Sequence, residues 1–309
     1  MTESAVPNPY LPESADLSLS SSLAPRRVIF NFADRCNMRC TFCYVPFDRR
    51  VGTRDTATQV IDVLGDWKVE SVTFGGGDPL MYDYLMDLID QCRDGWAGEP
   101  FVQLDTNGLL LTDKLLRMVG LRVDLLGLPL DAVSERLARQ FRRNARHPKI
   151  VRGLLPKVAA AGIRLKINTV VLQGNLGEIA AIGEIVNGSS AEIWSLYEYW
   201  PLPTSVTDCL LQAGQYEQIA AAMVPRFPRI NIEIEPVATR WPGYFFVTQT
   251  GRCYTIDPNE TGKYFELGNL LVDPQAVLGK WASVADPAAN AERFRRRIHI
   301  KPGYTAGTI

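Results

Sequence analysis

Apolar runs alternate with amphipathic stretches along most of the chain, and this alternation predicts its secondary structure. Residues 27–33 have the sequence Arg-Val-Ile-Phe-Asn-Phe-Ala and predict a buried first strand. Further strands are predicted at 69–74, 101–104, 123–128, 165–171 and 193–199, with helical patterns between them, among others at 56–67, 79–96 and 149–162. Strands that alternate with helices predict a parallel sheet with right-handed crossovers, and therefore an α/β fold.

The C-terminal third has a different pattern. Residues 215–224 have a helical pattern, 230–234 alternate like a strand, 243–256 predict a hairpin around Thr250-Gly251, and 275–283 predict a helix. The first 25 residues are rich in Ser, Pro and Ala and predict a flexible arm. We therefore expect an arm (1–25), an α/β unit (26–204) and an α+β extension (205–309) that covers the substrate site.

Composition narrows the function classes. The chain has 33 Lys and Arg against 34 Asp and Glu, so it lacks the strong positive charge of a nucleic-acid-binding domain. No apolar stretch reaches about 18 residues, so no membrane span is expected. The N-terminus has no signal-peptide pattern, and unpaired cysteines predict a reducing cytoplasm. These features favour a cytoplasmic protein that acts on a small molecule.

Three of the six cysteines lie on one predicted loop directly after the first strand. Cys36, Cys40 and Cys43 form a C-x3-C-x2-C motif. Three thiolates can hold three irons of a [4Fe–4S] cluster and leave the fourth iron open to a ligand. A zinc site without its fourth ligand and a group of structural thiols are the alternatives. Zinc is disfavoured because a closed site needs four ligands and no histidine lies nearby.

A glycine-rich turn follows the second predicted strand, with the sequence Gly75-Gly76-Gly77-Asp78-Pro79. Glycine lets backbone approach a ligand closely. The third strand ends in Asp105-Thr106-Asn107-Gly108. Cofactors in parallel α/β folds bind at the carboxyl ends of strands, where both segments and the cysteine loop are expected to meet.

Together these motifs resemble the radical S-adenosylmethionine (SAM) superfamily. The resemblance implies a partial (βα)6 TIM-like barrel, one [4Fe–4S] cluster on Cys36, Cys40 and Cys43, and SAM bound at the open iron, where its reductive cleavage gives a 5′-deoxyadenosyl radical. It also implies an electron donor of the flavodoxin or ferredoxin type. The implied cofactor contacts are Phe42, Tyr44, Gly75, Gly76, Gly77, Asp78, Asn107, Asp131 and Asn168.

Some of these assignments stay open at the level of the sequence. Asp78 stands where the family usually has Glu, although the contact with SAM is made by backbone. A helix cap or turn role is the alternative for Asn107, Asp131 and Asn168. Arg136, Arg142 or Arg143 could pair with the SAM carboxylate, because Arg suits bidentate recognition.

The remaining cysteines bear on cluster number and on chemistry. Only Cys92, Cys209 and Cys253 are left, fewer than an additional SPASM or twitch cluster would need, so we expect a single cluster. Cys253 follows Gly-Arg in the predicted hairpin. Some radical SAM epimerases use such a thiol to return a hydrogen atom to the substrate, so Cys253 is predicted to be a catalytic donor. The alternative for Cys253 is a small buried apolar residue.

The predicted sixth strand carries the candidate substrate contacts Tyr197, Glu198 and Tyr199, with Glu198 also a catalytic candidate. Lys166 on the predicted fifth strand is a further candidate substrate contact. Aromatic faces beside a carboxylate suit sugars or cationic amines, whereas a row of aromatic residues packed in the core is the alternative. The organisation also resembles viperin-like enzymes, but Lys166 alone makes a poor triphosphate site.

The leading functional hypothesis is therefore an epimerase that acts on a sugar or an aminocyclitol such as an aminoglycoside. The alternatives are a viperin-like nucleotide or sugar dehydratase, a dehydrogenase, a decarboxylase, a peptide-modifying enzyme and, outside catalysis, an iron–sulfur redox sensor. The glycine turn and the polar residues at the strand ends have no role in a sensor, which favours an enzyme.

Overall fold

A ten-stranded sheet runs through the protein, with helices packed on its outer side. The computed structural model describes residues 24–47, 51–201, 209–257, 259–260 and 262–298. The predicted arm, apart from its last two residues, and the predicted boundary at 204/205 lie outside the described residues. No helix in the described ranges is long and apolar enough to cross a membrane.

Seven strands of this sheet follow one another in chain order, each parallel to the next. They are β1 (Arg27–Ala33), β2 (Ser71–Gly76), β3 (Phe101–Asp105), β4 (Leu125–Pro129), β5 (Leu165–Val171), β6 (Ala191–Glu198) and β7 (Asn231–Glu235). The bounds of β1 and β5 agree with those predicted from the apolar runs. The predicted parallel α/β fold of a partial barrel is confirmed.

The helices between these strands pack on the sheet through their apolar faces. They are α1 (Arg54–Asp66), α2 (Leu85–Gly95), α3 (Asp113–Gly120), α4 (Glu135–Arg142), α5 (His147–Ala160), α6 (Ile179–Asn187) and α7 (Gln215–Arg226). The helices α8 (Val237–Arg240), α9 (Pro274–Ala282) and α10 (Pro287–Ile298) follow β7 in the chain. The helix predicted at 79–96 is wrong in its first part. A 3₁₀ turn at Pro79–Met81, capped by the Asp78 side chain, precedes α2.

The C-terminal segment adds three strands to the same sheet. β8 (Phe246–Thr248) runs parallel to β1, and β9 (Arg252–Ile256) and β10 (Tyr264–Asn269) continue the sheet as antiparallel strands. The hairpin around Thr250-Gly251 was predicted, whereas β10 and the pairing of β8 with β1 were not. Within the described residues the sheet stays open, with β7 and β10 at its edges.

The two faces of the sheet have different surroundings. Phe30, Val247 and Cys253, which are paired neighbours on β1, β8 and β9, lie in the core between the sheet and the helices. Their sequence neighbours Phe246 and Tyr254 lie in a separate aromatic cluster on the other face. We call this second face the inner face. Because side chains alternate along a strand, a residue's parity decides whether it can reach the inner face.

Candidate cluster and cofactor site

The cysteine loop lies at the carboxyl end of β1, and its three thiols are free and partly exposed. N–H groups point at two of the sulfurs. The amide of Met38 lies 3.4 Å and Asn107 Nδ2 3.8 Å from Cys36 Sγ, and Arg142 Nη1 lies 3.7 Å from Cys40 Sγ. Such donors stabilise thiolates that ligate iron and help to set the potential of a cluster.

The donor set fits a cluster better than a single metal ion. In the part of the chain that the structure describes, no group of three or more His, Cys, Asp or Glu side chains converges on a point that could hold one ion. Three sulfurs spread over one loop instead suit a cubane, whose irons are bound at separate corners. Burial raises the pKa of the Cys43 thiol to about 11 and also raises those of Cys36 and Cys40, so ligation must release protons.

The glycine turn after β2 is packed directly against this loop. Gly77 N donates to Ala33 O at 2.7 Å, and Asp78 N donates to Arg35 O at 2.9 Å. A Cβ on Gly77 would lie 1.9 Å from Arg35 O, and Gly76 has a φ of +101°. These two glycines therefore set the distance between the turn and the cysteine loop.

We expect Gly77→Ala to disturb the cluster site with little change elsewhere. The clash is with backbone, so the cysteine loop must shift, and we expect a cost of roughly 1–3 kcal/mol in unfolding free energy. Iron content after anaerobic reconstitution should fall in parallel. Gly98→Ala, where a Cβ meets nothing within 4 Å, is the matched control. Full iron loading in Gly77→Ala would contradict the expectation.

Asp78 holds the glycine turn to the loop after β3. Its buried carboxylate accepts hydrogen bonds from Thr106 Oγ1 at 2.8 Å and from the amides of Asn107 and Leu80, each at 3.0 Å. Burial raises the pKa of Asp78, and these hydrogen bonds act in the opposite direction. The side chain thus has a structural role, consistent with the expectation that the backbone of this turn makes the cofactor contact.

His147 supports the cofactor loop, although it was not among the site residues predicted from the sequence. Asn107 Nδ2 lies 2.6 Å from Asn37 Oδ1 in the cysteine loop, and the Asn107 carbonyl lies 3.0 Å from the buried His147 Nε2. Burial, reinforced by the charge of Arg142, lowers the pKa of His147 to about 3. The neutral imidazole donates through Nε2–H. No signal in the sequence pairs residues that lie this far apart.

His147 should make the stability of the protein depend on pH. Its folded pKa lies below the ordinary value, so its contribution is complete above the unfolded pKa of about 6.5 and is lost as pH falls toward about 3. As the pH is lowered, we expect the unfolding free energy of wild type to fall more steeply than that of His147→Gln. The difference between the two slopes should reach about 1.4 kcal/mol per pH unit. Urea titrations between roughly pH 5 and 8 test this, and equal slopes would refute it.

Asp131 and Arg142 form an ion pair beside the cluster loop. Their side chains are 1% and 11% exposed. Asp131 Oδ2 accepts from Arg142, and Oδ1 accepts from the Val170 amide at 2.7 Å. Each carboxylate oxygen of Asp131 thus accepts one hydrogen bond from the protein, which gives the side chain a structural role, and its contact with SAM stays a prediction. Of the three arginines considered for the SAM carboxylate, Arg142 lies beside the cysteine loop, with its guanidinium 5.2 Å from the Phe42 ring, while Arg136 and Arg143 are exposed.

The surroundings of Asn168 are compatible with its predicted contact with SAM. It lies on the inner face at β5, and its buried Oδ1 has no hydrogen-bond partner within the described residues. The same is true of Asn31 Oδ1 on β1. A Cβ on Gly75 would meet nothing closer than that Asn31 oxygen, at 3.8 Å. Two unsatisfied acceptors and an open glycine at the strand ends suit the amino and hydroxyl groups of SAM.

Deeper on the inner face, four polar side chains form a buried network. The Lys166 side chain is fully buried, and its Nζ lies 2.8 Å from Glu233 Oε2 and 3.1 Å from Tyr197 Oη. Ser195 Oγ donates to the same Glu233 oxygen. The predicted substrate contacts Lys166 and Tyr197 are therefore brought together. Glu233 was not predicted, since it lies on β7, in a run that the sequence marks only as a strand.

The other predicted residues lie around this network. Glu198 Oε2 accepts from the Val237 amide at 2.7 Å, at the start of α8. Tyr199 is buried in a cluster with Phe42 next to the cysteine loop. Tyr44 is 37% exposed. Burial raises the pKa of Tyr44 well above its ordinary value, and the charges of Tyr254 and Asp105 act in the same direction. The Tyr44 ring lies 5.9 Å from that of Phe246 on the inner face.

The position of Cys253 does not fit the predicted hydrogen donor. Its thiol is completely buried on the outer face of β9, in the core that contains Val247, Leu267 and Trp281. Tyr254, the next residue, is the one that faces inward and accepts from Asn31 Nδ2 at 2.5 Å. The alternation of the strand thus separates Cys253 from the inner face. Cys253 is therefore better described as a small buried apolar residue than as a hydrogen donor.

Comparison with known proteins agrees with this geometry. Residues 30–182 match the family model described as "Radical SAM superfamily". The chain is 27% identical over 261 residues to an S-adenosylmethionine-dependent nucleotide dehydratase of Flammeovirga pacifica, with 79% of this chain and 86% of the relative covered. It is 27% identical over 154 residues to a GTP 3',8-cyclase of Limosilactobacillus fermentum, with 48% and 46% covered, so it spans less than half of that relative.

Solved structures show the same fold. SuiB of Streptococcus suis bound to S-adenosylmethionine has a TM-score of 0.64 at 17% identity, with 87% of this chain and 68% of that chain covered. Native anSMEcpe with bound AdoMet has a TM-score of 0.65 at 15% identity, with 84% and 82% covered. At such identities the likeness is one of fold.

Proposed function

Because this chain is an enzyme of the radical SAM superfamily, which uses a [4Fe–4S] cluster and SAM, we propose that it dehydrates a hydroxylated ring of sugar or nucleoside type. When bound, the cluster and SAM supply a 5′-deoxyadenosyl radical that removes a hydrogen atom from a substrate carbon. Cys36, Cys40 and Cys43 would hold the cluster, and Asn168, Asn31 and the backbone at Gly75 would hold SAM.

The observation that carries the proposal is the network of Lys166, Tyr197 and Glu233. Departure of a hydroxyl group as water needs a proton donor in the site. Tyr197 Oη accepts a hydrogen bond from Lys166 Nζ, so its own proton is directed away from the lysine and toward the inner face. Tyr197 would deliver that proton to the leaving hydroxyl, and Lys166 would supply its replacement. The product radical left after loss of water would take up one further electron from the single-electron reductant that also drives cleavage of SAM.

This reaction replaces the epimerase hypothesis as the leading proposal. Epimerisation with a thiol needs that thiol on the substrate side, and Cys253 lies on the outer face. The named activity of the Flammeovirga relative, which is covered over most of its length, also supports dehydration. A sugar or aminocyclitol stays within the proposed substrate class, because the network would act on a hydroxyl group of the ring and each of these rings carries hydroxyl groups.

The product distinguishes these reactions directly. The anaerobically reconstituted enzyme would be incubated with SAM, a reductant and panels of nucleotides, nucleotide sugars and aminoglycosides in deuterated water. A product lighter by one water, formed together with 5′-deoxyadenosine, supports dehydration. A product of unchanged formula with one solvent deuterium means epimerisation, and loss of two hydrogens means dehydrogenation. Cys253→Ala and Cys209→Ala, tested in parallel, would identify any thiol donor.

A buried cation suggests that the substrate carries an anionic group. Arg240 is 7% exposed, and among the described residues it forms no ion pair, since the group that it contacts is a backbone carbonyl. Its Nη2 donates to the Glu198 carbonyl at 2.5 Å, its guanidinium lies 5.7 Å from the Tyr197 ring, and its Nε has no partner in the same part of the chain. A phosphate or carboxylate could use that free N–H.

For Arg240→Gln we expect the KM for the substrate to rise by about ten- to a hundredfold, the value of one charge-assisted hydrogen bond. Formation of 5′-deoxyadenosine without substrate should stay unchanged. Arg226→Gln, which breaks an exposed ion pair with Glu184, is the matched control. A fall in kcat at constant KM would contradict the role in binding.

A further inference from the structure

A strongly basic surface lies directly behind the cluster loop. Between residues 135 and 157 the chain has eight Lys or Arg and one Glu, although the whole chain is nearly neutral. We define the basic patch as the exposed members of this segment, which are Arg136, Arg139, Arg143, Arg146, Lys149 and Arg152. Among the described residues none of these six has a carboxylate within ion-pair distance, as other surface arginines of the chain do.

The patch is joined to the cluster loop by direct contacts. The amide of Thr41, between the second and third cysteines, donates to the carbonyl of Phe141 at the end of α4, at 2.8 Å. The adjacent Arg142 lies 3.7 Å from Cys40 Sγ. Exposed Arg143 is therefore one residue from a group that contacts a cluster ligand. A protein seated on the patch would come within a few side chains of the cluster.

We propose that the basic patch is the docking surface for an acidic protein that carries single electrons, such as a flavodoxin or a ferredoxin. Clustered charge without internal partners raises the rate of association with an oppositely charged protein. In the transfer, one electron leaves the reduced carrier and enters the oxidised cluster, and no bond or proton changes place. The proposal needs the cluster of this family but does not depend on dehydration.

The chain offers a matched pair of charge reversals. Arg139→Glu/Arg143→Glu changes two exposed residues of the patch, one of which, Arg143, has a positive φ of 55°. Lys68→Glu/Arg229→Glu makes the same change in charge, and Lys68 has a φ of 56°. Lys68 and Arg229 precede β2 and β7, so they lie at the end of the sheet opposite the cysteine loop.

The experiment measures binding of a purified bacterial flavodoxin to the reconstituted holoenzyme by calorimetry, at low and at physiological salt. We expect binding to the patch variant to be weaker by about tenfold or more at low salt, with a smaller salt dependence, while the control pair stays close to wild type. Oxidation of the reduced flavodoxin by the enzyme, followed by stopped flow, should be slower for the patch variant than for wild type and for the control pair. SAM cleavage driven by dithionite, without substrate, should be equal in all three proteins.

Several results would overturn the proposal. One is an equal loss of flavodoxin binding in both variant pairs, and another is an equal loss of dithionite-driven SAM cleavage, which would place the patch in the cofactor site. Failure of wild type to bind either flavodoxin or ferredoxin is a third. Transfer RNA that binds through the patch, while flavodoxin binding is unchanged by the reversal, would identify a nucleic-acid surface instead. None of these outcomes depends on which product the enzyme forms.

Discussion

Lys166→Met is expected to lower both the stability and the turnover of the enzyme by large factors. The Lys166 ammonium is fully buried against Glu233, whose side chain is 10% exposed. Removal of the cation leaves the Glu233 carboxylate, which also accepts from the hydroxyl of Ser195, buried without its counter-charge, and breaking a buried pair in this way costs about 3–5 kcal/mol. Turnover should fall by about 10²–10⁴, the usual value of a positioned acid–base group.

The double variant Lys166→Met/Glu233→Gln separates the two effects. Replacing both members removes the uncompensated charge, so the unfolding free energy from urea titration should return most of the way to wild type. Product formation should remain low, because Tyr197 has still lost its proton source. Formation of 5′-deoxyadenosine without substrate serves as the control for cofactor binding. Recovery of turnover in the double variant would show that the network is structural only.

Periodicity and motifs were sufficient to predict the parallel strands and the cysteine loop. The strand at 27–33 is buried along its whole length and appears in the sequence as a nearly continuous apolar run, whereas the strand at 165–171 has Lys166 and Asn168 between its apolar residues. The strand β10 was missed because its burial is mixed and a Glu and a Gly interrupt it. Pairing of β8 with β1 joins segments far apart in the chain, which no local pattern encodes.

The prediction for Cys253 depended on which side of the sheet the residue faces, because neighbouring residues on a strand face opposite sides. The hairpin was predicted, but the sequence did not indicate which face of β9 is the inner one. Cys253 and Tyr254 are both apolar in pattern and both fully buried, so burial preference does not discriminate between them. Only the pairing of Val247 with Cys253 and of Phe246 with Tyr254 assigns the faces.

The ion pair beside the cluster gives the second large expectation. Arg142→Met would leave the Asp131 carboxylate buried without its cation, and we expect a loss of about 3–5 kcal/mol in unfolding free energy. The same change removes the N–H group that lies 3.7 Å from Cys40 Sγ. Burial alone would lower the pKa of Arg142, but the charge of Asp131 and its hydrogen bond, together with the charges of Cys40 and Cys43, outweigh burial and raise that pKa, so the guanidinium stays charged beside the sulfur.

A positive charge and a hydrogen bond next to a ligand sulfur favour the reduced form of a cluster, which carries one more negative charge. Arg142→Met should therefore shift the midpoint potential of the reconstituted cluster to more negative values. In Asp131→Asn/Arg142→Met the unfolding free energy should recover, whereas the potential should not, because the donor to Cys40 is still absent. Redox titration followed by electron paramagnetic resonance measures the potential independently of turnover. A wild-type potential in both variants would mean that Arg142 supports the loop only through its pair with Asp131.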